Sequence, residues 1–143
     1  MTKAAGGGMF EAAVGSLASQ KGASQGVKDF GAMLNEHHSM ANQELEALAA
    51  AKGVKLPSEM PRSKKKTIDR LARADGQKFD RQFVKEVGIK DHEKDIADFE
   101  KAAGETKDPE LKAWITRTLP NLRKHLETAQ QLAETTGAKP SSN

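Results

Sequence analysis

Between Val27 and Leu48 the chain places apolar residues at Val27, Phe30, Leu34, Ala41, Leu45 and Leu48. The steps of three, four and seven are the spacing of a helix that lays one narrow seam against other helices. A strand would need alternation with a period of two, so this stretch commits the chain to helix packing. Ser24 is placed to cap the helix and Gly53 to end it, giving an expected span of 25–52. Two histidines, His37 and His38, fill the gap in the seam between Leu34 and Ala41. At 100° per residue they lie about equally far to either side of its centre, so periodicity does not choose between them.

Three further long helices are expected. Phe10, Val14, Leu17 and Ala18 mark the first, over 4–21. Gly6-Gly7-Gly8 weakens its start, so either it begins near Met9 or the glycines admit a close neighbour. Glu11 lies at the edge of that stripe, able to turn inward; a solvated first-turn acid is the alternative. The third helix, 77–103, carries Phe79, Phe83 and Val87, then His92, Ile96, Phe99 and Ala103, with Gly104 as its end. The step of five from Val87 to His92, with Gly88 inside it, predicts either a phase drift or a π-bulge. Asp108-Pro109-Glu110 is a strong start for the fourth helix, 109–136, with His125 on the centre of its stripe. Pro120 should bend that helix about one turn before His125, and Trp114 should be core. Between the second and third helices, two X-Pro steps at Pro57 and Pro61 block helix. A short helix then follows at 63–74, capped by Ser63 and crossing over rather than joining the bundle. Its run of Arg62, Lys64, Lys65 and Lys66 suggests a phosphate-binding patch or, more simply, a solvated face.

A length of 143 residues fits one domain, expected here at 4–137, with 138–143 as a disordered tail. Few β-branched residues, five Phe, one Trp and no Tyr favour an all-α class. The charge of +3, from 23 basic and 20 acidic residues, is a mixed surface without the footprint of a nucleic-acid binder. No apolar run reaches the ~18–20 residues a membrane-spanning helix needs. No signal peptide is read; Met1-Thr2-Lys3 fits an authentic start or one that follows a removed leader. With no Cys there is neither a disulfide framework nor a thiolate metal site.

The polar residues on the seams point to a site. His38, His92 and His125 each fall near the middle of a helix, as does Glu11. In an up-down bundle, midpoints share a layer, and metal sites in bundle cores are built by one residue from each helix. A single histidine on an apolar face is more often a hydrogen-bonded core residue. Three buried imidazoles and a carboxylate together would be costly to leave unsatisfied, and one divalent cation satisfies all four. This donor set suits zinc first, with copper or iron behind it. His37 would be a fifth ligand, a group behind the ligands or solvent-exposed. Met9, Met33 and Met40 could soften the site toward copper, although Met at helical spacing is usually core. The residues three before the candidate histidines are Asn35, Ile89 and Leu122, so the paired Glu-x-x-His of a carboxylate di-iron centre is missing. No nucleophile–base pair is visible.

Several stretches also resemble a known family. They are Gly8-Met9-Phe10-Glu11, the run from His38 to Asn42-x-Glu44-Leu45, Gly53-Val54-x-Leu56-Pro57, Phe79-Asp80-Arg81, Asp91-His92-Glu93-Lys94 and Leu119-Pro120-x-Leu122-x-x-His125-Leu126. Together, over about 4–132, the chain resembles bacterial domain-of-unknown-function family 4142, ferritin-like four-helix proteins usually exported to the periplasm or envelope. The resemblance implies Glu11, His38, His92 and His125 as polar core positions and favours His38 over His37 as the inward residue. The chain departs from the family at His37, where Asp is common.

The expectation is therefore an all-α, ferritin-like four-helix bundle with a short crossover helix between helices two and three. It would bind a divalent transition metal through Glu11, His38, His92 and His125, as a periplasmic monomer or homodimer with a role in metal handling or stress response. Two alternatives remain: a metal-free structural or partner-binding module with a polar histidine layer, and a metal-dependent oxidoreductase or hydrolase. The non-enzymatic readings are preferred.

Overall fold

A computed structural model describes residues 1–137, which are helical with no strand among them; the tail expected at 138–143 lies outside the described residues. The elements are α1 (Thr2–Lys21), α2 (Gln25–Ala51), α3 (Arg62–Ala72) and α4 (Gly76–Phe83), then a π-helical turn (Val84–Asp91), α5 (His92–Glu105) and α6 (Pro109–Thr136). The all-α expectation is met. No described helix is long and apolar enough to cross a membrane.

Helix starts follow the local chemistry. Ser24 accepts the Val27 N–H at 3.2 Å, opening α2. Asp108 accepts the N–H groups of Glu110 and Leu111, with Pro109 in the first turn of α6. Gly53 and Gly137, both at positive φ, lie where α2 and α6 stop. Several boundaries differ from expectation by one or two residues. Helix α1 starts at Thr2, with the three glycines inside it. Helix α3 starts at Arg62 behind Pro61 and has no side-chain cap, so Ser63 is within the helix rather than before it. Helix α5 runs one residue past Gly104 before Thr106 turns extended.

The chain divides into two compact units, the first Met1–Asp80 and the second starting at Arg81. In the first, α1 and α2 form a hairpin through residues 22–24 and pack along their length. The contact is close enough to exclude side chains. A Cβ on Gly15 would lie 2.6 Å from the Gly31 carbonyl oxygen, and one on Gly31 would lie 2.5 Å from that of Gly15. Asn35 donates from Nδ2 to the Ala12 carbonyl at 2.8 Å across the same interface, and Asn42 fills the space beside Gly8. The pairs 15/31, 12/35 and 8/42 fix an antiparallel register. Asp80 is buried and ties down the hairpin turn: its carboxylate accepts the Ala23 N–H at 2.8 Å and the Ser24 N–H at 2.9 Å. Helix α3 packs on α1, with Lys64 Nζ 4.7 Å from the centre of the Phe10 ring.

In the second unit, α5 and the π-helical turn both pack against α6. Phe99 tilts against Trp114 at 5.5 Å between ring centres, and Trp114 is buried as expected. Helix α6 continues through Pro120 without a break.

Candidate metal centre

Each unit holds one pair of the polar residues that interrupt the apolar seams. In the first, the α1/α2 register sets Glu11 at the level of His38, because 11/38 falls between the pairs 12/35 and 8/42. Both are buried, Glu11 to 1 % exposure and His38 to 7 %. A carboxylate at 1 % exposure is unusual, and it is held there by a helix whose glycines let α2 approach closely. The burial separates the adjacent histidines: His38 faces inward, while His37 is half-buried on the flank of α2. Met40 is exposed, at 55 %, and Met9 and Met33 are half-buried. A softening of the site toward copper gains nothing from Met40, which points outward.

In the second unit His92 and His125 are both buried and face each other edge to face, ring centres 5.3 Å apart at 90°. Each offers a ring nitrogen within 4.8 Å of the other's. His125 arrives there on the α6 stripe that also buries Leu122 and Ala129. His92 depends on the π-helical turn. An α-helix would rotate residues five apart well away from one another; the wider π-helical turn brings them near the same line. Thus Val87 and His92 are both buried, and His92 Nδ1 lies 2.8 Å from the Val87 carbonyl oxygen. The step of five in the sequence is a π-helix of eight residues, with Gly88 buried inside it.

This contact decides the chemistry of the ring. A carbonyl oxygen only accepts, so Nδ1 carries the hydrogen and the lone pair of a neutral His92 sits on Nε2. Burial pushes the imidazole pKa down to about 4, against a smaller upward pull from the Val87 hydrogen bond. At neutral pH the ring is therefore uncharged, the state a metal ligand needs. A histidine oriented by a main-chain carbonyl, with its other nitrogen directed into a polar core, is the common arrangement of a ligating imidazole. Among the described residues, the buried atoms that make no hydrogen bond include Glu11 Oε2, His38 Nε2, His92 Nε2 and His125 Nδ1. Imidazole nitrogens and a carboxylate oxygen are donors that zinc, copper and iron accept.

Asp80 enters the sequence reading only inside the Phe79-Asp80-Arg81 motif, with no role attached. Its partners lie 56 and 57 residues earlier in the chain, and an isolated Asp within a helix gives no local sign of so distant a clamp.

No curated protein and no solved structure matches the chain. A family model does, over residues 1–132, and its description is a domain of unknown function, DUF4142. That match covers all four helix-borne polar residues and confirms the resemblance drawn from the separate motifs: the chain belongs to the DUF4142 family.

Proposed function

We propose that this protein binds a divalent transition metal, zinc first and copper or iron behind it, through Glu11, His38, His92 and His125. The observation that carries the reading is the pair His92–His125. Two buried imidazoles sit edge to face, and one of them is kept neutral by burial and oriented by the Val87 carbonyl. Three buried histidines, His38, His92 and His125, could hold a metal ion, and Glu11 at the level of His38 adds the negative charge a divalent cation favours. In this reading the long helices form a ferritin-like four-helix bundle in one domain, as a monomer or homodimer. The family resemblance supports placement in the bacterial periplasm or envelope. The role is metal handling, with no catalytic step assigned.

The competing reading is a metal-free polar core layer. The Val87 hydrogen bond and the edge-to-face ring contact favour it, because both satisfy part of His92 without an ion. Titration with Zn²⁺ separates the two. Wild-type protein should bind one ion per chain, and His38→Ala, His92→Ala or His125→Ala should each lower affinity about a hundredfold or more, beyond the tenfold to hundredfold of a lost orienting group. His37→Ala should change it little. Equal losses at His37 and His125 would contradict the ligand set.

A further inference from the structure

The positive charge of the chain is concentrated in one short stretch. Residues 52–73 hold eight of the 23 Lys and Arg but two of the 20 Asp and Glu, a formal +6. The rest of the chain therefore sums to −3 against the total of +3. Half of this stretch is α3, and its helical register groups four of the cations, with Asp69 at the edge of the group. At 100° per residue Arg62, Lys66, Arg70 and Arg73 fall within an arc of about 80°, and all four are exposed. Leu71, on the opposite side, is fully buried. The four cations thus make a straight outward stripe about 16 Å long. Read as sequence alone, the basic run looks like a solvated face; the register turns it into an ordered array.

The start of α3 carries this charge against the rule for helix ends. Its first turn has no acid and its N-cap has no side-chain hydrogen bond, yet Arg62, Lys64, Lys65 and Lys66 crowd the positive pole of the helix dipole, where cations are unfavourable. Glu59 pairs with Lys65 at 3.1 Å, but eight cations against two acids on this stretch leave an exposed face complementary to an anionic partner. The shape of the face narrows the choice. It is a single convex helix surface, suited to a plane rather than a strand in a groove. Val54 and Lys55, just before α3, are both exposed, an apolar and a cationic side chain together as at bilayer interfaces. Phe10, Phe30 and Phe79, the aromatic residues of this unit, are buried, so no ring is presented for stacking on bases.

We propose that the outer face of α3, through Arg62, Lys66, Arg70 and Arg73, docks this protein on the surface of an anionic phospholipid bilayer. The test is co-sedimentation of the full chain with vesicles of phosphatidylcholine alone and of phosphatidylcholine mixed with phosphatidylglycerol. Binding should require the anionic lipid and fall as salt is raised. Each basic residue near such a surface contributes about fivefold. Replacing all four by Gln should therefore weaken binding by about a hundredfold or more, and Lys66→Glu alone by about tenfold or more. Both variants should melt with the wild type because the side chains are exposed. Replacing Lys94, Lys107, Lys112 and Lys124 by Gln removes the same net charge from elsewhere and should cost under about fivefold, the worth of one such residue. Equal losses in the two four-residue variants would overturn the proposal, as would binding that ignores lipid charge. Tighter binding to duplex DNA than to mixed vesicles at one salt concentration would overturn it in favour of nucleic acid.

Discussion

His92 donates a hydrogen bond from Nδ1 to the main-chain oxygen of Val87, five residues earlier and 2.8 Å away. The bond exists because residues 84–91 wind as a π-helix rather than an α-helix. It links a backbone irregularity to the tautomer of a buried ring, and through the tautomer to the nitrogen that can bind a metal. Long-range proton–nitrogen correlation spectra of the labelled protein should find His92 neutral with its hydrogen on Nδ1. On addition of Zn²⁺ the response should appear at Nε2 while Nδ1 keeps its hydrogen. Coordination through Nδ1 would contradict this assignment.

Acidity should act on the same ring. Burial lowers the His92 pKa from 6.5 to about 4. Between those values the unfolded chain binds more protons at this group than the native state does, so stability rises with pH across the window. The contribution is fully present above pH 6.5 and is lost as the pH falls toward 4, amounting to roughly 3 kcal/mol for an isolated group of this kind. Urea unfolding of chelator-treated protein at several pH values should show this slope, and His92→Gln should lack it. Equal slopes would place the acid sensitivity elsewhere. Zinc affinity should also weaken below about pH 6, since protonated imidazoles do not ligate; affinity flat from about pH 8 to pH 5 would rule out a histidine-rich site.

The close α1/α2 approach makes a separate prediction about stability. Gly15→Ala and Gly31→Ala each place a methyl group against main-chain atoms of the opposite helix, and overpacking of this kind costs about 1–3 kcal/mol. Gly7 lies in the same helix as Gly15, and a methyl group there would meet nothing within 4 Å, so Gly7→Ala should instead stabilise by roughly 0.5–1 kcal/mol. Thermal unfolding of the three variants checks the signs. A stabilising Gly31→Ala would mean that the two helices lie farther apart than these contacts require.

Much of this architecture is legible in the sequence where the signal is local. Ser24 and Asp108 announce their helices because an N-cap acts on the next three residues. His125 is found by periodicity because it stands at the centre of a long stripe. The choice between His37 and His38 is not legible in that way, since neighbouring residues straddle the seam symmetrically; burial distinguishes them. The step from Val87 to His92 flags an irregularity but not its eight-residue length, because a single offset in the stripe marks where the phase shifts and not how far the winding extends. The Asp80 clamp leaves no local trace, and the charge stripe of α3 emerges only once the helix begins at Arg62 and its outward face is known.

Metal binding by the buried histidines is tested most directly by elemental analysis of untagged, dialysed protein before and after chelator, with the melting temperature followed in the same samples. One zinc, copper or iron ion per chain is expected. The melting temperature should fall when the ion is removed and recover when it is restored, because an ion bound only to the native state stabilises it. Protein that carries no metal, and whose melting temperature does not respond to added Zn²⁺, Cu²⁺ or Fe²⁺, would contradict metal binding at these residues.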